Sequence, residues 1–148
     1  MRPLVTNKKA RFDFEVLETY EAGVELLGTE VKALRAGKGV LQGARVVVRG
    51  GEAYLVGVSI PPHQAANAPR GYDPERSRRL LLSKREIMEL AQRSEKKGLT
   101  AVPLMLYAVG RNIKVRLAIV RRKKKQDKRE VLRKRDAERH IERTLKNQ

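Results

Sequence analysis

From Phe12 the chain alternates: Phe12, Phe14 and Val16 are apolar while Asp13 and Glu15 are acidic, the period-two signature of a half-buried strand. Ala22-Gly23 interrupts the run, and Val24 to Leu27 reads as a return strand. Gly28-Thr29 then opens a short helix that ends at Gly37, with Gly37-Lys38-Gly39 closing it. Three consecutive valines, Val46 to Val48, face a second strand, Ala53 to Ile60, across a Gly50-Gly51 turn. Leu80 to Leu82 is a short apolar strand or the lead into a helix. Ser83-Lys84-Arg85-Glu86 is a capping box, in which the serine side chain accepts from the Glu86 amide and the Glu86 carboxylate reaches back to Ser83. Ile87, Leu90 and Ala91 share one face of that helix, and Gly98 stops it. Ala101 to Tyr107 and Ile113 to Val120 form a last hairpin across Gly110 to Asn112. In its second arm Ile113, Val115, Leu117 and Ile119 point one way and Lys114 and Arg116 the other. The expectation is a mainly β protein: about six strands with two or three short helices, in a closed or nearly closed antiparallel barrel. Periodicity alone admits any small β-barrel.

Past Arg121 this logic stops. Residues 121–148 hold thirteen Lys and Arg against five Asp and Glu, and their apolar residues are reduced to Val131, Leu132, Ala137, Ile141 and Leu145. Ala137, Ile141 and Leu145 fall at i, i+4 and i+8, so a helix is available. An isolated helix of this length is marginal in water, and little apolar surface offsets the ordering entropy. The chain therefore divides into a β-barrel domain, 1–120, and a basic tail, 121–148, expected to be disordered when free and helical against an anionic surface.

Charge changes the picture most. Thirty-four Lys and Arg against 17 Asp and Glu give a formal +17 over 148 residues. Such an excess repels itself in the compact state and is ordinarily matched by a polyanion. A membrane-surface helix would set bulky apolar residues opposite its basic face, which the tail lacks. Nucleic acid is the better match. The basic positions cluster at Asn7-Lys8-Lys9 with Arg11, in the tail, and in the long connection Pro61 to Arg79, which carries Arg70, Arg76, Arg78 and Arg79. A connection of that length in a small domain is functional or disordered, and the arginines favour function.

Catalysis finds no support. With no cysteine, thiolate metal sites and disulfides are excluded. His63 and His140 lie in a loop and in the tail and read as plain polar residues, and no metal or other cofactor is expected. Lys8-Lys9 lacks the flanking glycines of a phosphate-cradling loop. Asp136 and Glu138 sit among arginines and read as ion-paired. Nothing near Met1 reads as a signal peptide and no apolar run reaches membrane-spanning length, so a soluble cytoplasmic protein is expected. Of the few aromatics, Phe12 and Phe14 share a face and read as core. Tyr72, in the basic loop, stands open between base stacking and local packing. Glu21 reads as an acid in a turn beside basic segments.

Several separated motifs resemble the small protein B (SmpB) family, the bacterial tmRNA-binding proteins of trans-translation. They are Asn7-Lys8-Lys9-Ala10-Arg11, Tyr20-Glu21-Ala22-Gly23, Gly28-Thr29-Glu30-Val31-Lys32 and Leu34-Arg35-Ala36-Gly37-Lys38. Asp73-Pro74 with Arg76, Leu80-Leu81-Leu82, Lys84-Arg85-Glu86-Ile87, Val115 to Ala118 and Asp127-Lys128-Arg129 follow in the same order. The resemblance spans nearly the whole chain. It implies an oligonucleotide-binding-type barrel and a non-catalytic role in ribosome rescue.

The resemblance further implies that the body holds the tRNA-like domain of tmRNA, with Asn7, Glu21 and Leu81 important there. The expected RNA-binding set is Asn7, Lys8, Lys9, Arg11, Glu21, Leu81, Lys84 and Arg85. Elongation factor Tu with GTP would act indirectly through alanyl-tmRNA at a stalled ribosome. The tail, through Lys123, Lys124, Asp127, Lys128 and Arg129, would lie as a helix in the vacant mRNA channel near the small-subunit decoding centre. Four positions depart from the family pattern: Phe12 where histidine is common, Ser83 where histidine or asparagine is common, Arg122 for glycine, and Gln126 for an aromatic or histidine. A structural ribosomal protein, a general RNA-binding module and an RNA-processing enzyme are the competing readings.

Overall fold

The computed structural model describes residues 1–64, 68–123, 132–135 and 139. Among them the elements run β1 (Arg2–Thr6), α1 (Lys8–Asp13), β2 (Phe14–Val24), α2 (Gly28–Arg35), β3 (Arg45–Arg49), β4 (Glu52–Val56), β5 (Arg78–Leu81), α3 (Lys84–Ser94), β6 (Leu99–Val109) and β7 (Asn112–Arg122). Residues 132–135 are helical as well. The seven strands form one antiparallel sheet in the order β1-β6-β7-β2-β5-β4-β3. Its ends, β1 and β3, do not pair with each other, so the expected barrel is an open one. The sheet curls far enough to bring β3 against β6.

The concave face carries the main core. Leu117, Val115 and Ile119 of β7 meet Leu55 of β4, Leu80 of β5 and Leu106 of β6, with Leu34 of α2 and Leu90 of α3 plugging the opening. Each such side chain, fully withdrawn from water, contributes about 1.5–3 kcal/mol. A smaller cluster lies on the opposite face of β6 and β7, where Val102, Leu104, Ala118 and Val120 receive Ala10 of α1 and the partly buried Phe14. Covered on both faces, β6 reads as a nearly continuous apolar run instead of an alternating one. Pro103 sits in this central strand at a register irregularity between Pro103 and Met105, where its missing N–H does no harm.

Several expectations give way to tertiary contacts. β1 adds a seventh strand; Arg-Pro-Leu-Val-Thr is too short and too mixed to stand out until β6 offers it a partner. Phe12 lies in α1, not in a strand. Asn7 caps that helix through its side chain, and the cap overrides the alternation that begins at Phe12. Phe12 and Phe14 are accordingly half-buried, and Val16, 41% exposed, stands beside a bulge between Val16 and Glu18. No hairpin forms at Ala22-Gly23: β2 continues through both residues, and Gly23 pairs with Lys114 on one side and Leu81 on the other.

The Gly50-Gly51 hairpin, the Ser83 cap and the β6–β7 hairpin form where expected. Both glycines of the tight turn take positive φ, 55° and 75°. β7 runs on to Arg122, and Lys123 donates its backbone N–H to the Asp13 carbonyl at 2.9 Å, so the folded body extends past residue 120. The expectation about the tail's order falls largely on residues 124–131 and 136–148, of which only 139 is described.

Candidate RNA interface

The sequence-predicted site residues separate into two patches at opposite ends of β2. Phe14 opens that strand beside Arg122, and Gly23 lies nine residues further on. At about 3.3 Å per residue the two ends are roughly 30 Å apart.

The first patch is α1 and the root of the tail. Lys8, Lys9 and Arg11 are exposed, whereas Asn7 is 4% exposed. Asn7 Oδ1 accepts from the Ala10 amide at 3.1 Å. Its Nδ2 donates to the Pro103 carbonyl at 3.0 Å and the Leu41 carbonyl at 3.4 Å, and its backbone N–H donates to Leu104. The β6 irregularity thus presents the carbonyl that Asn7 holds. Asn7, expected in the RNA-binding set, is buried, and by capping α1 it fixes the direction in which Lys8, Lys9 and Arg11 project. Lys123 joins this patch, its Nζ donating to the Arg11 carbonyl at 3.2 Å. Lys124, Asp127, Lys128 and Arg129 lie outside the described residues.

The second patch is on the convex face of β2, β5 and β7. Glu21 is not in a turn but in mid-strand, paired with Arg116. Its carboxylate accepts from Arg116 Nε at 2.6 Å and from the Tyr107 hydroxyl. The Arg116 guanidinium also lies 5.8 Å from the centre of the Tyr107 ring. Burial, and then the Glu21 carboxylate, push the Tyr107 phenol up to about 12, so it remains a donor at neutral pH. The carboxylate is therefore held in one orientation with one edge open to solvent.

Two residues along, Leu81 stands 48% exposed against Gly23. A groove of about 400 Å³ opens here, floored by Val24, Leu26 and Val31 and rimmed by Arg111 and Lys114. Lys84 and Arg85 follow at once, exposed in the first turn of α3. Ser83 fixes that turn: its Oγ accepts from the Glu86 amide at 3.2 Å, and its own N–H donates to Glu86 Oε1 at 3.1 Å. An apolar wedge at Leu81, a held carboxylate at Glu21 and the nearby Lys114 are what a folded RNA with an unstacked base can use.

The arginines of the long connection are mostly committed inside the protein. Glu30 is 1% exposed and Arg78 is fully buried. Arg78 donates to Glu30 Oε2 through Nε at 2.9 Å and Nη2 at 2.5 Å, and Arg76 pairs with Oε1 of the same carboxylate. Burial by itself would raise the Glu30 pKa. The hydrogen bonds from Arg76, the Leu27 amide and Arg78 outweigh it and hold the carboxyl below its ordinary value. The single Tyr72 hydroxyl proton lies between Ile60 O at 2.7 Å and Glu30 Oε2 at 3.0 Å, so the phenol end of this half-buried ring is held locally. Arg79 is shared between Glu25 and Glu52, each at 3.0 Å. The Arg76–Arg79 end of the connection is stapled to Glu30 of α2 and to Glu25 and Glu52.

Sequence reading missed Tyr107, Lys114 and Arg111 as site residues. The alternation of Lys114 and Arg116 on β7 was the available signal; what it lacked was the strand order that sets β7 beside Glu21. Among the described residues no helix is long and apolar enough to cross a membrane.

The comparisons with known proteins agree with one another. The SmpB protein family pattern matches residues 4–147. An SsrA-binding protein of Thermosynechococcus vestitus is 48% identical over 146 residues, 99% of this chain and 96% of the relative. An SsrA-binding protein of Gloeobacter violaceus is 50% identical over 143 residues, 97% of this chain and 93% of the relative. A solved structure described as "tmRNA-SmpB: a journey to the center of the bacterial ribosome" superposes with a TM-score of 0.70 at 44% identity, covering 88% of this chain and 95% of that one. With its length matched almost from end to end, this chain belongs to the SmpB family.

Proposed function

We propose that this protein is a non-catalytic RNA-binding factor of ribosome rescue that binds tmRNA in trans-translation. The observation that carries the reading is the presence of exposed cations in two patches at opposite ends of β2, in a chain related along its length to SsrA-binding proteins. The Glu21–Leu81 face takes the tRNA-like domain of the RNA, with Lys84 and Arg85 on its phosphates. The α1 patch and the tail that leaves beside it meet the stalled ribosome. Elongation factor Tu with GTP acts indirectly, through the alanyl-tmRNA this protein accompanies, in the cytoplasm. In the empty mRNA channel the tail finds a phosphate-lined surface that repays the entropy of coiling.

The test is to recover and sequence the RNA that copurifies with the protein from its own cells. A single dominant tRNA-shaped species is expected. A random mixture, or protein retained stoichiometrically on all ribosomes after a high-salt wash, points instead to a structural ribosomal protein.

A further inference from the structure

The convex face changes character at β3 and β4. A solvent-facing sheet surface is ordinarily polar, yet Val47, Tyr54 and Val56 all point outward here, half-buried around a groove of about 310 Å³. Val47 stands opposite Tyr54, and Val56 opposite Arg45. Their neighbours Val46 and Val48 take the concave side with the core. Arg45 and Arg49 bracket the groove on the same strand face, about 13 Å apart at four residues' spacing.

Their electrostatic position differs from that of the nearby Arg79, which is consumed by Glu25 and Glu52. Glu52 faces Arg49 across the hairpin but is bidentate on Arg79, at 3.0 and 3.2 Å. Among the described residues Arg45 and Arg49 enter no ion pair. An aromatic ring set among aliphatic side chains, with one available guanidinium on either side, complements a flat apolar base flanked by two backbone phosphates. A protein strand or an acidic peptide would use the cations but leave the ring without a partner of its own kind.

Resting on the RNA-binding reading above, we infer that the convex face of the β3–β4 hairpin binds an unpaired RNA nucleotide, its base stacked on Tyr54 and the adjoining phosphates held by Arg45 and Arg49. This extends the RNA surface beyond the Glu21–Leu81 face. It selects single-stranded over duplex segments, because a base already stacked in a helix cannot offer its face.

The experiment measures anisotropy of fluorescein-labelled hexauridine with the full chain, together with cross-linking of 5-iodouridine-substituted hexauridine mapped by mass spectrometry. Tyr54→Ala is expected to weaken binding roughly tenfold, and Tyr54→Phe to leave it unchanged because the ring is kept. Arg45→Glu with Arg49→Glu, both at exposed positions, should also weaken it and flatten its salt dependence. Cross-links on wild-type protein should map to Tyr54, a readout that survives if a variant fails to fold. Wild-type affinity in folded Tyr54→Ala, or cross-links confined to the tail, would overturn the inference. The tRNA-like domain of tmRNA is titrated in parallel. If it fails to bind wild-type protein, the functional reading falls; if it binds while Tyr54→Ala leaves hexauridine affinity intact, only this inference falls.

Discussion

Asn7 spends its whole side chain on the protein, its oxygen capping α1 and its amide nitrogen bridging the carbonyls of Leu41 and of Pro103 in β6. Asn7→Ala removes a cap and strands buried acceptors, so a loss of about 2 kcal/mol or more is expected in a denaturant titration. RNA binding by the Glu21–Leu81 face, some 30 Å away, should persist under native conditions. Glu30 is the other residue on which much hangs. Glu30→Ala leaves Arg78 charged and buried without its partner, expected to cost about 3–5 kcal/mol. Because the folded state holds the Glu30 carboxyl below its ordinary 4.5, it takes up that proton less readily than the unfolded chain. The stabilisation is complete above pH 4.5 and is lost as pH falls through the folded value. Stability followed from pH 7 downward should therefore decline, and Glu30→Gln should flatten that decline from a lower starting point.

At the scale of elements, the contact between β2 and β5 governs the apolar groove. A Cβ on Gly23 would meet Leu81 Cβ at 3.2 Å and Cδ1 at 3.3 Å, tight enough that Leu81 must shift. Its backbone is not in the left-handed region, so Gly23→Ala leaves the strand intact. That variant should keep its thermal midpoint within a few degrees yet bind a tRNA-like RNA several-fold more weakly. Unchanged affinity would remove Leu81 from the interface. The glycine that reads as a turn breaker is thus a spacer between strands. The Ser83 capping box, by contrast, was legible because all its parts lie within four residues and need no partner element.

For the whole molecule the separation of patches predicts separable functions. A chain ending at Lys123 retains β7 and its tie to α1, and should fold and bind the tRNA-like domain as the full chain does. Peptide tagging in a reconstituted stalled-translation assay should be lost. Equal tagging by the shortened chain would end the channel role of the tail.

The order of residues was sufficient for what depends on near neighbours and on totals. The cap at Ser83, the turn at Gly50-Gly51, the alternation of Lys114 and Arg116, and the polyanion partner implied by +17 all follow from local chemistry or summed charge. It could not tell which arginines were available. Arg76 and Arg78 look as basic as Arg45 and Arg49 until the fold brings Glu30, some 46 to 48 residues away, against the first pair, while Glu52, the acid opposite Arg49, is taken by Arg79. Whether a cation meets a partner inside the protein or waits for one outside is a property of distance in space. Chain order fixes that distance only through the packing of the whole sheet.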